Sequence, residues 1–386
     1  MTNFFVFLVI VLIGIAVWQL TRIFDLTQIG GTSEKSEIAS DYDNSVNGYL
    51  MFGFLGFIYI FTIYSLYAWG DFVLGTPGSE HGKEVDNLMN ISMAIIFFVQ
   101  TITQFLLHYF SFKYRGKAGR KALYFADNNK LEAVWTIIPV IVLAGLVMYG
   151  LYTWNTIMFV SEEDKQDAIV IELYAKQFGW EARYSGEDKT LGKANVRLIE
   201  GINTLGVDLA DPAAQDDKVV TELHLPVGKK VIFKIRSQDV LHSAYMPHFR
   251  AQMNCVPGMI TQFAFTPSVT TSDMRNDEAI VKKVAKINDI RKNKSKTLVA
   301  SGQAALDPYE FDYLLLCNKI CGASHYNMQM KIVVDSPADF KSWLAEKPTL
   351  AQQWKDANAP AAPAPVPAIT NEVAVDSTKA LAQVIK

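Results

Sequence analysis

The chain contains few cysteines, little charge and no excess of basic residues. Only three of its 386 residues are cysteine, which excludes a small fold held together by several disulfides. Charged residues make up 19% of the chain and leave a net charge of −3, so a protein that binds nucleic acid by neutralising phosphates is excluded. No Cys-x-x-Cys-His sequence is present, which excludes a c-type haem attached to this chain.

Long apolar runs without Asp, Glu, Lys or Arg occupy the first 160 residues, at 4–20, 49–69, 91–110 and 133–160. A membrane-spanning helix needs about 20 apolar residues, so the last three runs predict spanning helices. The first run fits either a retained helix or a signal peptide. We favour a retained helix, because no basic residue precedes the run and no small-residue cleavage pattern follows it.

Basic residues in the loops predict how these helices are oriented, because cytoplasmic loops are enriched in Lys and Arg. Segment 70–90 is mainly acidic and is predicted to lie outside, together with everything after residue 160. The loop between the third and fourth runs is predicted to be cytoplasmic, since it carries Lys113, Arg115, Lys117, Arg120, Lys121 and Lys130.

After residue 160 the apolar pattern becomes short and alternating, which is typical of β-strands. About seven strands separated by turns predict an all-β sandwich. The predicted strands are 168–174, 177–184, 219–225, 231–236, 260–266, 310–316 and 328–334.

Three segments do not fit a minimal sandwich. The polar residues 184–218 predict a long surface excursion. Residues 271–296 have helix-forming composition and a basic second half, which indicates a solvated helix, the interpretation that we favour, or a binding patch. The region from 349 to 386 is rich in Ala and Pro, and it predicts a disordered tail.

A cluster of soft metal ligands lies within twelve residues: Cys317, Cys321, His325 and Met328. A second imidazole, His242, follows a predicted strand upstream. Thiolate and thioether are soft ligands, and imidazole suits copper. This set exceeds what one tetrahedral ion needs, and it suits two coppers that share both sulfurs.

Other interpretations of the cluster are a buried helix face, a plain disulfide and a zinc site. The spacings of four, four and three fit one face of a helix, but strand-like runs flank the cluster and Gly322 lies inside it. A disulfide between the two cysteines is possible outside the cytoplasm, although a histidine and a methionine at ligand spacing argue against it. Methionine is a poor zinc ligand.

At these residues the chain resembles cytochrome c oxidase subunit II, the copper-bearing subunit of haem-copper respiratory oxidases. Residues 317–328 look like the binuclear copper (CuA) motif of that family. The sequence Asp-Val-Leu-His-Ser at 239–243 matches its upstream histidine segment, and Pro257-Gly258 matches the turn that follows. Residues 132–139 look like the start of its second helix. The resemblance covers about residues 91–344.

The resemblance implies a membrane-anchored all-β protein, in which transmembrane helices precede a cupredoxin-like Greek-key β-sandwich. Residues 1–90 would be an extra N-terminal transmembrane region with two helices that the family lacks. Residues 91–160 would be the family's helix hairpin. Residues 161–348 would form the CuA domain, with an insertion at about 268–306 and a tail at 349–386.

The resemblance also implies a function in respiration. The chain would accept electrons from a cytochrome c, or from a cytochrome c domain of a neighbouring complex, at the outer (periplasmic) face of a bacterial inner membrane. It would pass them to the haem centres of catalytic subunit I, where oxygen is reduced to water and protons are translocated. Haem and the oxygen-reducing site would thus belong to other oxidase subunits. The alternatives are a tethered mononuclear copper carrier, a copper-free quinol oxidase subunit II and a thiol–disulfide protein.

The family's site residues carry over to named positions. Phe178 and Trp180 lie in its aromatic segment for receiving electrons, or else in the sandwich core. Glu132 corresponds to the mouth of a proton-uptake path, or else is a carboxylate favoured by the helix dipole. Lys319 replaces an acidic residue that helps bind magnesium, so no magnesium is expected at its side chain. The implied copper ligands are His242, Cys317, the backbone carbonyl of Lys319, Cys321, His325 and Met328.

Overall fold

The structure, a computed structural model, describes residues 2–28 and 40–359. This part of the chain divides into two compact units. The helical unit comprises the described parts of Met1–Val160, with Pro247–Arg250 and Thr271–Asp312, and the sandwich unit comprises Ser161–Met246, Ala251–Thr270 and the described part of Tyr313–Lys386. The helices are α1 (Thr2–Gln28), α2 (Asp41–Trp69), α3 (Gly82–Lys113), α4 (Asn129–Met158), α5 (Glu162–Asp167), α6 (Thr271–Arg275), α7 (Glu278–Ala300), α8 (Pro337–Ala345) and α9 (Leu350–Ala357).

The strands of the described residues form two five-stranded sheets, with orders β3-β2-β1-β5-β8 and β4-β10-β9-β6-β7. They are β1 (Ile169–Lys176), β2 (Gly179–Tyr184), β3 (Lys218–Val220), β4 (Leu223–Pro226), β5 (Val231–Ser237), β6 (His242–Met246), β7 (Ala251–Cys255), β8 (Thr261–Phe265), β9 (Tyr313–Cys317) and β10 (Gln329–Asp335).

Three helices of the described chain are long and apolar enough to cross a membrane. The candidate spans are Asp41–Phe72, Gly82–Lys113 and Asn129–Asp167, which contain the last three predicted runs. The apolar part of α1, Phe7–Ile23, is shorter than the about 20 apolar residues that a spanning helix needs, so a membrane role for α1 stays a prediction. The prediction of an anchored protein with a β-rich domain is confirmed.

The additional helix α2 packs directly on α3. The rings of Tyr49 and Phe52 lie 5.0 and 5.3 Å from the ring of Phe112. Gly48 allows this approach, because a Cβ at that position would lie 2.7 Å from a ring carbon of Phe112. A seam of aromatic rings therefore pairs the N-terminal region with the next helix of the chain.

Part of the sandwich core comes from strands that alternate as the sequence indicates, whereas the middle of β1 is buried on both faces. In β5, Val231, Phe233 and Ile235 are fully buried, and β5 pairs in parallel with β1. The β6–β7 hairpin was not among the predicted strands. Its two five-residue segments, His-Ser-Ala-Tyr-Met and Ala-Gln-Met-Asn-Cys, mix polar and apolar residues without clear alternation, so only pairing in the sheet identifies them.

Two predictions about the sandwich unit need correction. The excursion 184–218 is not only a surface segment, because it contributes Leu205 and Val207 to a buried cluster that also contains Tyr174 and Leu350. The predicted tail from residue 349 is wrong for its first part. Thr349 accepts a hydrogen bond from the backbone N–H of Gln352 and starts α9, whose Leu350 packs into that cluster. The rest of the predicted tail, from residue 360, lies outside the described residues.

The basic segment 271–296 is largely helical, as predicted. Asp277 caps α7 by accepting hydrogen bonds from the backbone N–H groups of Ala279 and Ile280 at 3.0 and 3.2 Å. Together with α6, this helix belongs to the helical unit and not to the sandwich unit that precedes and follows it in sequence.

Candidate metal centre

The sheet brings distant parts of the chain together at one end of three neighbouring strands. His242 is the first residue of β6, Cys317 is the last residue of β9, and Met328 directly precedes β10. Because β9 is antiparallel to both β6 and β10, these three positions lie at the same end of the sheet. The connection 318–328, here called the copper loop, adds Cys321 and His325.

Backbone hydrogen bonds hold the copper loop in place. The N–H of Cys317 donates to the carbonyl of Met328 at 3.1 Å, and the N–H of Asn318 donates to the carbonyl of Ser243 at 3.0 Å. His325 begins a short 3₁₀ turn, and its N–H donates to the carbonyl of Gly322 at 3.2 Å. The loop is thus tied to β6 as well as to its own two strands.

The side chains of the cluster converge. His242 Nδ1 lies 3.7 Å from Cys317 Sγ, and His325 Nδ1 lies 3.6 Å from Cys321 Sγ. Met328 Sδ lies 3.8 Å from Cys321 Sγ. The carbonyl oxygen of Lys319 lies 3.2 Å from Cys317 Sγ. All six expected ligands therefore meet in one site, and each imidazole presents its Nδ1 to a sulfur.

The two cysteines are free thiols whose Sγ atoms are 3.8 Å apart. A disulfide needs a separation of about 2.05 Å. Burial, followed by the neighbouring Cys317, raises the pKa of Cys321 to about 11. A neutral thiol is a poor ligand, so a metal that binds here displaces a proton. Soft sulfur and imidazole donors at these separations fit copper.

A hydrogen-bond network that supports the ligands, formed by Asp239 and Gln177, was not predicted from the sequence. Asp239 accepts a hydrogen bond from Nε2 of His242 at 2.8 Å and from the backbone N–H of Gln177 at 2.7 Å. The side-chain amide of Gln177 in turn donates to the carbonyl of Cys321. Burial acts to raise the pKa of Asp239, but hydrogen bonds from His242, Gln177 and Val240 outweigh it and lower that pKa.

This network orients the upstream histidine, because an imidazole whose Nε2 is held by a carboxylate presents Nδ1 to the metal. The signal that could have found Asp239 is its position three residues before the ligand His242. Nothing in the local sequence connects Gln177 to Cys321, since the two are 144 residues apart.

The two aromatic candidates lie beside the site in different environments. Trp180 is only 5% exposed, and its ring lies 6.3 Å from the His242 ring. It belongs to the core and cannot itself line a docking surface. Phe178 is 39% exposed and packs against Gly322, where an added Cβ would lie 2.8 Å from Phe178 Cζ. Phe178 therefore lies at the surface next to the copper loop.

Other predicted residues lie elsewhere. The Lys319 side chain is exposed, and it makes no ion pair within residues 40–359. Glu132 is in the first turn of α4, in the helical unit, and is not among the clustered ligands. Within the described chain, the group of His, Cys and acidic side chains that could hold a metal is His242, Cys317 and Cys321, with ligand atoms within 4.8 Å of one another.

Comparisons with known proteins identify a family. The family model for the transmembrane domain of cytochrome c oxidase subunit II matches residues 67–153, and the model for its periplasmic domain matches residues 169–272. The second match ends where the inserted helices begin, so the copper loop lies beyond it.

Curated relatives cover most of the chain. The alternative cytochrome c oxidase subunit 2 of Bradyrhizobium diazoefficiens is 32% identical over 76% of this chain and 88% of its own length. Cytochrome c oxidase subunit 2 of Thermostichus vulcanus is 24% identical over 72% of this chain and 80% of its own length. The solved periplasmic domain of cytochrome oxidase subunit II from Bradyrhizobium japonicum covers 46% of this chain and 91% of its own length, at 19% identity and a TM-score of 0.26.

Proposed function

Because the chain belongs to the cytochrome c oxidase subunit II family, we propose that its clustered ligands hold a binuclear copper centre that receives electrons from a cytochrome c. The chain is a membrane protein with a periplasmic domain, and it is subunit II of a haem-copper oxidase. The family implies copper, and the convergence of two thiols, two imidazole Nδ1 atoms, one thioether and one carbonyl supports a pair of ions.

The family pattern would divide the six ligands into two sets that share the two thiols. We expect Cys317 and Cys321 to bridge both ions. The family pattern gives His242 and Met328 to one ion, and it gives His325 and the carbonyl of Lys319 to the other. Bound copper would supply one-electron redox chemistry. The protein holds the ligands at a strand end, where the sheet and the Asp239 network restrict their movement and keep reorganisation during electron transfer small.

Other subunits of the complete oxidase would carry the haem centres and the oxygen-reducing site. We expect electrons from cytochrome c, or from a cytochrome c domain of a neighbouring complex, to leave this chain for the haem centres of the catalytic subunit. Oxygen reduction and proton translocation would occur there. The copper loop exposes two large apolar side chains, Ile320 at 86% and Tyr326 at 88%, and such side chains suit contact with another protein.

Copper analysis of the purified oxidase tests the proposal. We expect two coppers for each copy of this chain, in addition to the copper of other subunits, whereas a mononuclear carrier would hold one and a quinol oxidase subunit or a thiol–disulfide protein none. Cys317→Ser should abolish the binuclear site, and Met328→Leu should retain copper with an altered reduction potential. A cysteine control with the same replacement is Cys255→Ser, because Cys255 is a buried free cysteine that pairs with His242 across the β6–β7 hairpin but is not among the expected ligands. A Cys317→Ser protein with both coppers and an unchanged visible spectrum would refute the assignment.

We propose that Phe178 is the surface aromatic residue through which the chain receives electrons from its cytochrome c donor. Phe178→Ala should slow reduction by cytochrome c while the copper content and spectrum stay normal, and Phe178→Tyr should restore the rate because it keeps the ring. Trp180→Ala should instead destabilise the domain by about 3–5 kcal/mol, as for a buried aromatic. Equal reduction rates for the wild type and Phe178→Ala would remove this role.

At Lys319 we propose that only the backbone serves the copper site. Its exposed ammonium cannot ligate magnesium, which is a hard cation that prefers oxygen, and would instead pair with a carboxylate or a haem propionate of the catalytic subunit. Lys319→Ala should therefore leave copper unchanged. A structure of the assembled oxidase with a divalent ion bonded to Lys319 Nζ would contradict this proposal.

A further inference from the structure

Helix α7 is strongly basic in a chain that is otherwise acidic. Its 23 residues include seven Lys or Arg and two acidic residues, for a net charge of +5. The whole chain carries −3, so the remainder carries −8. Such a concentration of charge on one element indicates an anionic partner, provided that the cations are accessible.

The cations in the second half of α7 are accessible. Lys292, Lys294 and Lys296 are exposed. The first two make no ion pair or hydrogen bond within the described ranges, and Lys296 reaches only the amide oxygen of Asn293, at 3.4 Å. Ile290, one helical turn before Lys294 and on the same face of α7, is 59% exposed. Lysines next to exposed apolar side chains are typical of helices at a membrane surface.

The first half of α7 is attached to the segment that leaves the membrane after α2. Residues 70–81, here called the outer loop, connect α2 to α3. Lys286 forms an ion pair with Asp71 and lies 6.0 Å from the ring centroid of Phe72. Asp71 follows Trp69, the last residue of α2, within a candidate span that ends at Phe72. Lys286 therefore contacts the residues at which the apolar candidate span ends, which is where we expect the membrane surface.

The direction of α7 follows from a second contact with the outer loop. Asp277, at the start of α7, accepts a hydrogen bond from the hydroxyl of Thr76 at 2.7 Å. Thr76 is farther along the outer loop from α2 than Asp71 is. The helix therefore runs from the middle of the loop toward the end of α2, and residues 287–300 continue past that point.

We propose that residues 287–300 of α7 bind anionic phospholipid headgroups at the outer surface of the membrane. Lys292, Lys294 and Lys296 supply the charge, and Ile290 contacts the apolar side of the interface. Contacts with Asp71 and Thr76 fix the first half of α7 to the outer loop, and we expect residues 287–300 to extend from there along the headgroup layer, where each lysine contributes to the attraction. This site does not depend on copper.

Hydrogen exchange in nanodiscs tests the proposal. The assembled oxidase is placed in phosphatidylcholine discs with or without phosphatidylglycerol, and exchange is measured for peptides that cover 287–300. We expect phosphatidylglycerol to slow exchange at least about fivefold, the effect of one lysine at an anionic surface. High salt should remove the effect. The triple variant Lys292→Gln, Lys294→Gln, Lys296→Gln should lose it, and the matching triple Arg variant should keep it.

The control variant removes three exposed lysines of the sandwich unit, Lys193→Gln, Lys341→Gln and Lys355→Gln. It has the same net charge as the triple Gln variant of α7 and should keep the effect of phosphatidylglycerol. Equal exchange in both kinds of disc, or an unchanged effect in the α7 triple Gln variant, would overturn the proposal. Protection by added poly-glutamate in neutral discs, without any effect of phosphatidylglycerol, would also overturn it and assign α7 to an acidic protein.

Discussion

Gly322 offers a sharp test of how the copper loop is built, because its replacement by alanine combines two separate penalties. Its φ of +140° lies in a region that residues with a Cβ rarely adopt. An alanine Cβ would also lie 2.8 Å from Phe178 Cζ and 2.9 Å from Gln177 Nε2. We therefore expect Gly322→Ala to destabilise the sandwich unit and to displace Gln177 from the carbonyl of Cys321.

The magnitude follows from these two effects. Backbone strain at such a φ costs about 1–3 kcal/mol, and the lost hydrogen bond to the Cys321 carbonyl costs about 1 kcal/mol. We expect a loss of about 3 kcal/mol in the free energy of unfolding. For a unit of this size each 1 kcal/mol lowers Tm by about 2–4 °C, so Tm should fall by about 6–12 °C.

Thermal unfolding of the copper-free full-length chain in detergent, followed by tryptophan fluorescence, measures this loss. Alanine substitutions at two other glycines distinguish the backbone strain from the close contact of the added Cβ. Gly258 has a φ of +77° and no atom within 4 Å of an added Cβ, so Gly258→Ala should show the strain alone. Gly179 has neither a positive φ nor a close neighbour, so Gly179→Ala should not lower Tm. If Gly322→Ala were no less stable than Gly258→Ala, the close packing of Phe178 on the copper loop would be refuted.

Other measurements test the protonation states and the helical unit. Because burial raises the pKa of Cys321 to about 11, copper must displace a proton when it binds. Chelator competition should therefore show that the affinity for copper rises about tenfold per pH unit for each proton released. A copper affinity that does not change with pH would contradict this. Burial, followed by the charges of Lys283 and Arg250, lowers the pKa of His248 from 6.5 to about 4. Between pH 6.5 and about 4 the unfolded chain binds a proton at His248 that the folded protein does not, so the free energy of unfolding should fall by about 3 kcal/mol as pH drops from 6.5 toward 4. His248→Phe should reduce that part of the pH dependence of Tm. The family resemblance places Glu132 at the mouth of a proton-uptake path, so Glu132→Ala is expected to slow turnover and proton uptake in the assembled oxidase. Unchanged rates would leave only the favourable interaction of Glu132 with the helix dipole.

Sequence alone determined the features that depend on local chemistry. The three spanning helices follow from uncharged runs, because a backbone in hydrocarbon must satisfy its own hydrogen bonds and helices do so within one segment. The copper loop follows from Cys317, Cys321, His325 and Met328, because four ligands within twelve residues can surround a metal without distant chain. The helical character of α7 follows from its composition in the same way.

Tertiary structure decided the features that depend on which segments meet. His242 reaches Cys317 across 75 residues, and Gln177 reaches Cys321 across 144 residues, through sheet pairing that local patterns do not specify. The different exposure of Phe178 and Trp180 was decided in the same way, since Phe178 precedes β2 and Trp180 points into the core. Ligands close in sequence constrain one another directly, whereas the second histidine, its carboxylate and the lipid-facing position proposed for α7 depend on long-range packing.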